Sequence, residues 1–252
     1  MTKIGITCAE PHDASGAIHA DVAQYVAAVR RAGAEAVLLA NDAAVEDVLA
    51  SVGGIILSGG ADVDPDRYGG RRDHARSQAG RYRADRDDFE IALVRETRAR
   101  GVPTLCICRG VQAANVAFGG TLIEDVREEF GERYTIHHRQ TYEDGLDRAD
   151  YAPDHDVVLA AESLVARVCG ATTFRTNSMH HQALRALGEG LVAVGHTSDG
   201  VIEAVDATFA HPFFLGVQWH PEELDDDPSR RLFAELVAAA RQHVIRSAAA
   251  AG

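Results

Sequence analysis

Over the first hundred or so residues, short apolar runs alternate with stretches of helical periodicity, and few chain folds accept that order. Ile4-Gly5-Ile6-Thr7, Val37-Leu38-Leu39 and Ile55-Ile56-Leu57 read as strands, because each is a brief apolar run closed by turn residues. Between the first two, Tyr25, Val26, Val29 and Arg30 mark a helix that Gly33 stops. A second helix begins near Asp85. Its acidic residues Asp85, Asp87, Asp88 and Glu90 come early, Phe89, Ala92 and Leu93 share a face, and Arg95, Arg98 and Arg100 come late, before Gly101. That polarity matches the helix dipole and the usual stop signals. Strand, helix, strand in this order is the pattern of parallel βαβ units. Later strands are expected at Leu191–Val194, Val201–Val205 and Phe213–Trp219. Leu232, Phe233, Leu236, Val237 and Ala240 mark an amphipathic last helix, after which residues 247–252 are expected to fray. A chain of 252 residues suits one α/β domain spanning 1–252.

Charge narrows the partners. A net charge of −13 disfavours nucleic acid and anionic membrane surfaces, whose attraction rests on clustered Lys and Arg. No N-terminal charged-then-apolar signal is visible, and no apolar run approaches the about 18 residues a membrane span needs, so a cytoplasmic protein is expected. The four cysteines, Cys8, Cys106, Cys108 and Cys169, are too few and too unevenly spaced for a disulfide scaffold, and a lone CxC lacks a second ligand pair for zinc. They are expected to be reduced. Oligomeric state stays open, with a homodimer the commonest alternative to a monomer.

Cys108 carries the chemistry. In LCICRGVQ it follows the run Val102-Pro103-Thr104-Leu105 and precedes an apolar helical stretch, the form of a nucleophile on a sharp strand-to-helix turn. A thiol at a helix N-terminus meets unsatisfied N–H groups, which favour the thiolate. Gly110 keeps the turn uncrowded. Its partner is expected in FFLGVQWHPEE, where Phe213, Leu215, Val217 and Trp219 alternate as on a strand that ends at His220, since Pro221 cannot continue a ladder. An extended His-Pro-Glu would place Glu222 on the same side as His220, there to orient the imidazole. LSGGADVDPDRYGG, residues 57–70, joins a strand end to paired glycines, where open α/β sheets bind ligands.

Together the ICRG elbow, VQWHPE, LSGGADVDPDRYG, NSMHHQ (177–182) and DGVIEAVD (199–206) resemble the class I glutamine amidotransferase-like hydrolases, most of all their gamma-glutamyl-gamma-aminobutyrate hydrolase branch. One departure is Cys106, where that family often carries glycine. The resemblance implies a three-layer α/β/α fold with a mostly parallel, doubly wound, flavodoxin-like sheet. It implies catalytic Cys108, His220 and Glu222, and an oxyanion hole from the N–H groups of Gly60 and Arg109. It also implies that Gly59, Gln112, Ser178, Met179 and His180 contact a small gamma-glutamyl substrate. The chemistry requires no cofactor. A metal centre is not expected from the twelve histidines, Asp154-His155-Asp156 included, because no HExxH-type spacing appears; His137 and His138 read as loop residues. The region 126–176 is expected to make excursions and short strands over the site. Two other functions stay open: a glutaminase module passing ammonia to a synthase partner, and a non-enzymatic scaffold on an inherited fold.

Overall fold

The computed structural model describes residues 1–71, 82–138 and 154–251. Its core is a nine-stranded sheet in the order β2-β1-β3-β4-β11-β10-β9-β6-β7. The strands are β1 Lys3–Thr7, β2 Glu35–Leu39, β3 Gly54–Leu57, β4 Thr104–Ile107, β6 His155–Leu159, β7 Thr173–Thr176, β9 Leu191–His196, β10 Ile202–Ala207 and β11 Phe214–Val217. The strands from β2 to β11 in that order run parallel, and from β10 to β7 each is antiparallel to its neighbour. A small second sheet pairs β5, Leu122–Ile123, with β8, Ala183–Leu184.

The alternation of side chains builds three layers. On one face Ile4, Ile6, Ile56, Leu105, Ile107, Leu215 and Val217 pack with α1 Ala20–Arg31, α6 Leu164–Cys169 and α7 Asp227–Ala251. On the other, Ile55, Leu57, Cys106 and Phe214 pack with α2 Val45–Ser51, α3 Ala84–Arg100 and α4 Arg109–Ala117. Central strands β3, β4 and β11 are buried at every residue, which is why each reads as a continuous apolar run. The expected alternation in 213–219 is seen: Phe213, Leu215, Val217 and Trp219 share one core cluster and Phe214 belongs to the other. Cys106 is accommodated as a fully buried packing residue.

Two expectations need correction. Residues 247–251 continue α7 instead of fraying, as a run of alanines permits, alanine being the best helix former. The 126–176 region does not lie wholly over the site. It contains α5, Val126–Phe130, and then β6, α6 and β7, which extend the main sheet at its far edge; residues 139–153 lie outside the described residues. The strand signal in β6 is His155, Val157 and Leu159 inward with Asp156 and Val158 outward, short and diluted by charge. No helix among the described residues is long and apolar enough to cross a membrane.

Candidate active site

β4 and β11 are neighbours and parallel, so the residues that follow them emerge at one edge, at the carboxyl ends of the strands. Cys108 caps α4 with φ 51° and ψ −112°, the sole positive φ outside glycine among the described residues. That strained turn is anchored by the Cys108 N–H donating to the Val217 carbonyl at 2.8 Å. The helix can start so close to β3 only because residue 110 is glycine: a Cβ there would stand 2.1 Å from the Leu57 carbonyl oxygen.

His220 follows β11. Its N–H donates to Asn177 Oδ1 at 2.9 Å and its carbonyl accepts from Asn177 Nδ2 at 3.0 Å, so one asparagine clamps the backbone on both sides. Its Nδ1 lies 2.5 Å from Glu222 Oε1, yet not through the extended path expected from sequence. Pro221–Glu223 form a 3-10 turn, and the turn curls the carboxylate back onto the ring. Burial pulls the His220 imidazole down, but Glu222 and a Cys108 thiolate outweigh it and hold the pKa well above the usual histidine value.

Gly59 separates the two catalytic candidates. A Cβ on it would meet His220 Cε1 at 2.8 Å and Cys108 Cβ at 3.6 Å. Its N–H donates to the Tyr25 hydroxyl at 2.9 Å and its carbonyl accepts from Arg86 at 3.0 Å, so both of its backbone polar groups are already engaged. Gly60, at φ +141°, occupies backbone territory other residues rarely enter. Arg109 opens α4, where an N–H has no acceptor within its own helix. Tyr25, which sequence marked only as a helix core residue, also reaches to 3.5 Å from His220 Nδ1. Burial, then the charges of Glu222 and Cys108, push its hydroxyl well above the ordinary tyrosine range, so it stays protonated.

Behind the elbow lies a buried ionic network that the sequence did not reveal. The Arg109 guanidinium pairs with Asp87 and Glu90, and Arg86 Nε reaches Glu90 at 2.7 Å. Arg86 also donates to the carbonyls of Ser58 and Gly59 at 3.1 and 3.0 Å, and the Thr7 hydroxyl to Glu90 at 2.5 Å. Asp87 and Glu90 therefore do more than complement a helix dipole: they tie α3 to the glycine loop and to the elbow. The i, i+4 spacing of Arg86 and Glu90 was the available signal.

The remaining expected substrate contacts divide. Met179 is partly exposed, whereas Ser178 and His180 are buried. The Ser178 hydroxyl donates to the His138 carbonyl at 2.6 Å. The Gln112 amide donates to the Gln182 carbonyl and to Gln218 Oε1, both at 3.2 Å, which braces NSMHHQ against the elbow helix. His181 Nε2 sits 3.0 Å from Asp62. His180 turns instead toward Glu203, and so do His138 and His155. His138 lies in a loop, as expected, but it is fully buried, and burial, with neighbouring His180, brings its pKa down to about 4.

A cavity of about 420 Å³ opens beyond Tyr68 and is lined by Glu124, Asp125, Glu128, Glu129 and Arg185 among others. Gln182 links it to the site, with Nε2 3.4 Å from the Tyr68 hydroxyl.

Known proteins share this architecture. Over 96% of this chain and 94% of the other, the glutaminase domain of Trypanosoma brucei CTPS superposes with TM-score 0.60 at 17% identity, a likeness of fold. Sequence relatives are nearer. One is "Putative glutamine amidotransferase Rv2859c" of Mycobacterium tuberculosis, 37% identical over 90% of this chain and 70% of that one. Another is the gamma-glutamyl-gamma-aminobutyrate hydrolase PuuD of Escherichia coli K12, 32% identical over 82% and 79%. The model of the peptidase C26 family matches residues 3–222, a span that runs from β1 through the elbow to Glu222. The chain therefore belongs to the peptidase C26 family, within the class I glutamine amidotransferase-like proteins.

Proposed function

We propose that this protein is a cysteine hydrolase that cleaves the gamma-glutamyl amide bond of a small gamma-glutamyl amine to glutamate and free amine. The observation that carries it is Cys108, at φ 51° on its strand-helix elbow, facing an imidazole whose Nδ1 lies 2.5 Å from Glu222. The Cys108 thiolate attacks the gamma-carbonyl carbon, and the carbonyl pair moves onto oxygen. The N–H groups of Gly60 and Arg109 receive that oxyanion, each such donor worth about 3 kcal/mol. Protonated His220 gives its proton to the amine nitrogen as the carbon–nitrogen bond breaks, leaving a thioester on Cys108. Neutral His220 then takes a proton from water, which attacks the thioester and frees glutamate and the thiolate. Glu222 and Tyr25 hold the ring through this exchange.

The name of the 32% identical hydrolase relative supports an amine leaving group over ammonia. The acid-lined cavity beyond Tyr68 favours a cationic amine, such as a polyamine tail, since its four carboxylates outnumber its two arginines, Arg71 and Arg185. All four cysteines are free, which suits a reducing, cytoplasmic setting. The second function, a glutaminase passing ammonia to a synthase, draws on the relative named for amidotransfer. Amine and glutamate release from glutamine, gamma-glutamyl-aminobutyrate and gamma-glutamyl-putrescine, each beside Cys108→Ala, separates the two. Preference for a gamma-glutamyl amine, abolished in the variant, is the expected result. Activity confined to glutamine would favour the ammonia donor, and near-normal turnover by Cys108→Ala would remove the nucleophile assignment.

A further inference from the structure

We propose that His138, His155, His180 and Glu203 bind a single divalent ion of the zinc class, as a structural pin behind the candidate active site. The four side chains come from distant parts of the chain: His138 from the loop after α5, His155 from the start of β6, His180 from NSMHHQ, and Glu203 from β10. All are buried, Glu203 at 1% and His138 at 0% exposure. Ligand atoms of His138, His155 and Glu203 all lie within 4.8 Å of one another. Glu203 Oε1 stands 3.7 Å from His138 Nδ1, 3.7 Å from His155 Nε2 and 3.3 Å from His180 Nε2.

The Glu203 separations, 3.3–3.7 Å, approach those of ligands around one ion, and His138, His155 and Glu203 also converge on one another. Tetrahedral zinc with bonds of about 2.0–2.1 Å places its ligand atoms about 3.3 Å apart. The 3.7 Å contacts of His138 and His155 with Glu203 are beyond hydrogen-bond range, whereas His180, at 3.3 Å, is near enough for a long hydrogen bond. Among the described residues, His138 Nδ1, both nitrogens of His155, His180 Nε2 and both oxygens of Glu203 are buried with no hydrogen-bond partner. Leaving so many polar atoms unsatisfied in one place is costly, and one cation engages four of the groups at once.

The outer contacts also fit. A histidine bound to metal normally uses its other ring nitrogen on a carboxylate or a backbone carbonyl, which fixes tautomer and orientation. His138 Nε2 lies 3.1 Å from Asp199, itself held by the Thr197 hydroxyl at 2.5 Å. His180 Nδ1 lies 2.8 Å from the Gln182 carbonyl. In both cases the nitrogen left over is the one turned to Glu203. Three imidazoles with one carboxylate, all buried, match the four-ligand make-up of a structural site. The ion would fix NSMHHQ, whose Asn177 clamps His220, and β10, whose Glu203 carbonyl accepts from the Gln218 N–H at 2.8 Å.

Elemental analysis of wild-type protein purified without chelator is expected to return one zinc per chain. After stripping with dipicolinate, the melting temperature should fall, and Zn²⁺ should restore it. Co²⁺ added to the stripped protein should give the visible bands of tetrahedral cobalt. His155→Ala is expected to lose the bands and weaken Zn²⁺ binding by about 100-fold or more. Should that variant fail to fold, Asp199→Asn, which leaves the four ligands in place, is expected to weaken it by about 10- to 100-fold. Wild-type protein that purifies without metal, shows no cobalt bands and gains no thermal stability from Zn²⁺ would overturn the site. Equal zinc binding by wild type and His155→Ala would do the same.

Discussion

Cys108 is held in a conformation that costs a non-glycine residue about 1–3 kcal/mol, and the surrounding contacts over-determine it. Its N–H is bonded to β11 and its helix is seated on Leu57 through Gly110. Gly110→Ala is expected to cost about 3 kcal/mol, the upper end for overpacking, because the obstacle is a backbone carbonyl that cannot swing aside; urea denaturation measures it. The other thiols are poor nucleophiles: burial pushes Cys8 up to about 11 and Cys169 up to about 12, and drives Cys106 further still. Iodoacetamide near neutral pH should therefore label Cys108 alone in a peptide map, and a Cys106 adduct of equal yield would count against the assignment. For His220, the proposed general acid, the sign is set by Glu222, which raises its pKa. Glu222→Gln should thus lower it and move the alkaline limb of the kcat/KM profile to lower pH, with a smaller loss of kcat than His220→Ala. Tyr25→Phe leaves the Gly59 N–H without its hydroxyl acceptor, a penalty of about 1–3 kcal/mol; kcat/KM is expected to fall about tenfold or more while the circular dichroism stays native. Cys108 and His220 were legible in sequence because a strand run, a helix start and a proline define them within a few residues. Tyr25 was not, since its hydroxyl gains a role only where α1 meets the glycine loop.

At the scale of elements, α3 is the tie that holds the elbow. Its inward face carries Arg86, Asp87 and Glu90, so its apolar stripe is interrupted; of the expected face Phe89, Ala92 and Leu93, only Phe89 and Leu93 are buried and Ala92 is exposed. Glu90, between two guanidiniums, stays below the usual glutamate range although burial, the largest single influence, works against it. Removing one partner of such a buried group is far more damaging than replacing the whole set by apolar residues, at about 3–5 kcal/mol. Glu90→Gln should therefore unfold at markedly lower denaturant, and Arg86→Met combined with Glu90→Leu should recover part of that loss. β6 illustrates the same limit in a strand. His155 faces inward from a polar-looking segment, and Asp154-His155-Asp156 does not form a ligand triplet; His155 instead joins His138 and Glu203.

In the whole molecule, the centre of the sheet, β3, β4 and β11, is buried on both faces, and the antiparallel half thins toward an edge near which Val158 is 55% exposed. Hydrogen exchange is expected to be slowest in β3, β4 and β11 and faster in β6 and β7, since opening free energies follow burial; uniform protection across the sheet would contradict the layered core. The order of strands also explains the site. β11, late in sequence, inserts beside β4, which carries His220 to the elbow left by Cys108. The sequence by itself determined the alternation of strands and helices, the elbow and the family, because periodicity, turn chemistry and motif order act along contiguous residues. Only the tertiary structure decided that Glu222 reaches His220 through a tight turn, that Arg86, Glu90 and Arg109 lock together, and that three histidines converge on Glu203. A buried polar group is stable only where partners from other elements surround it, and that meeting is created by the packing of the sheet and its helices, not by any local pattern.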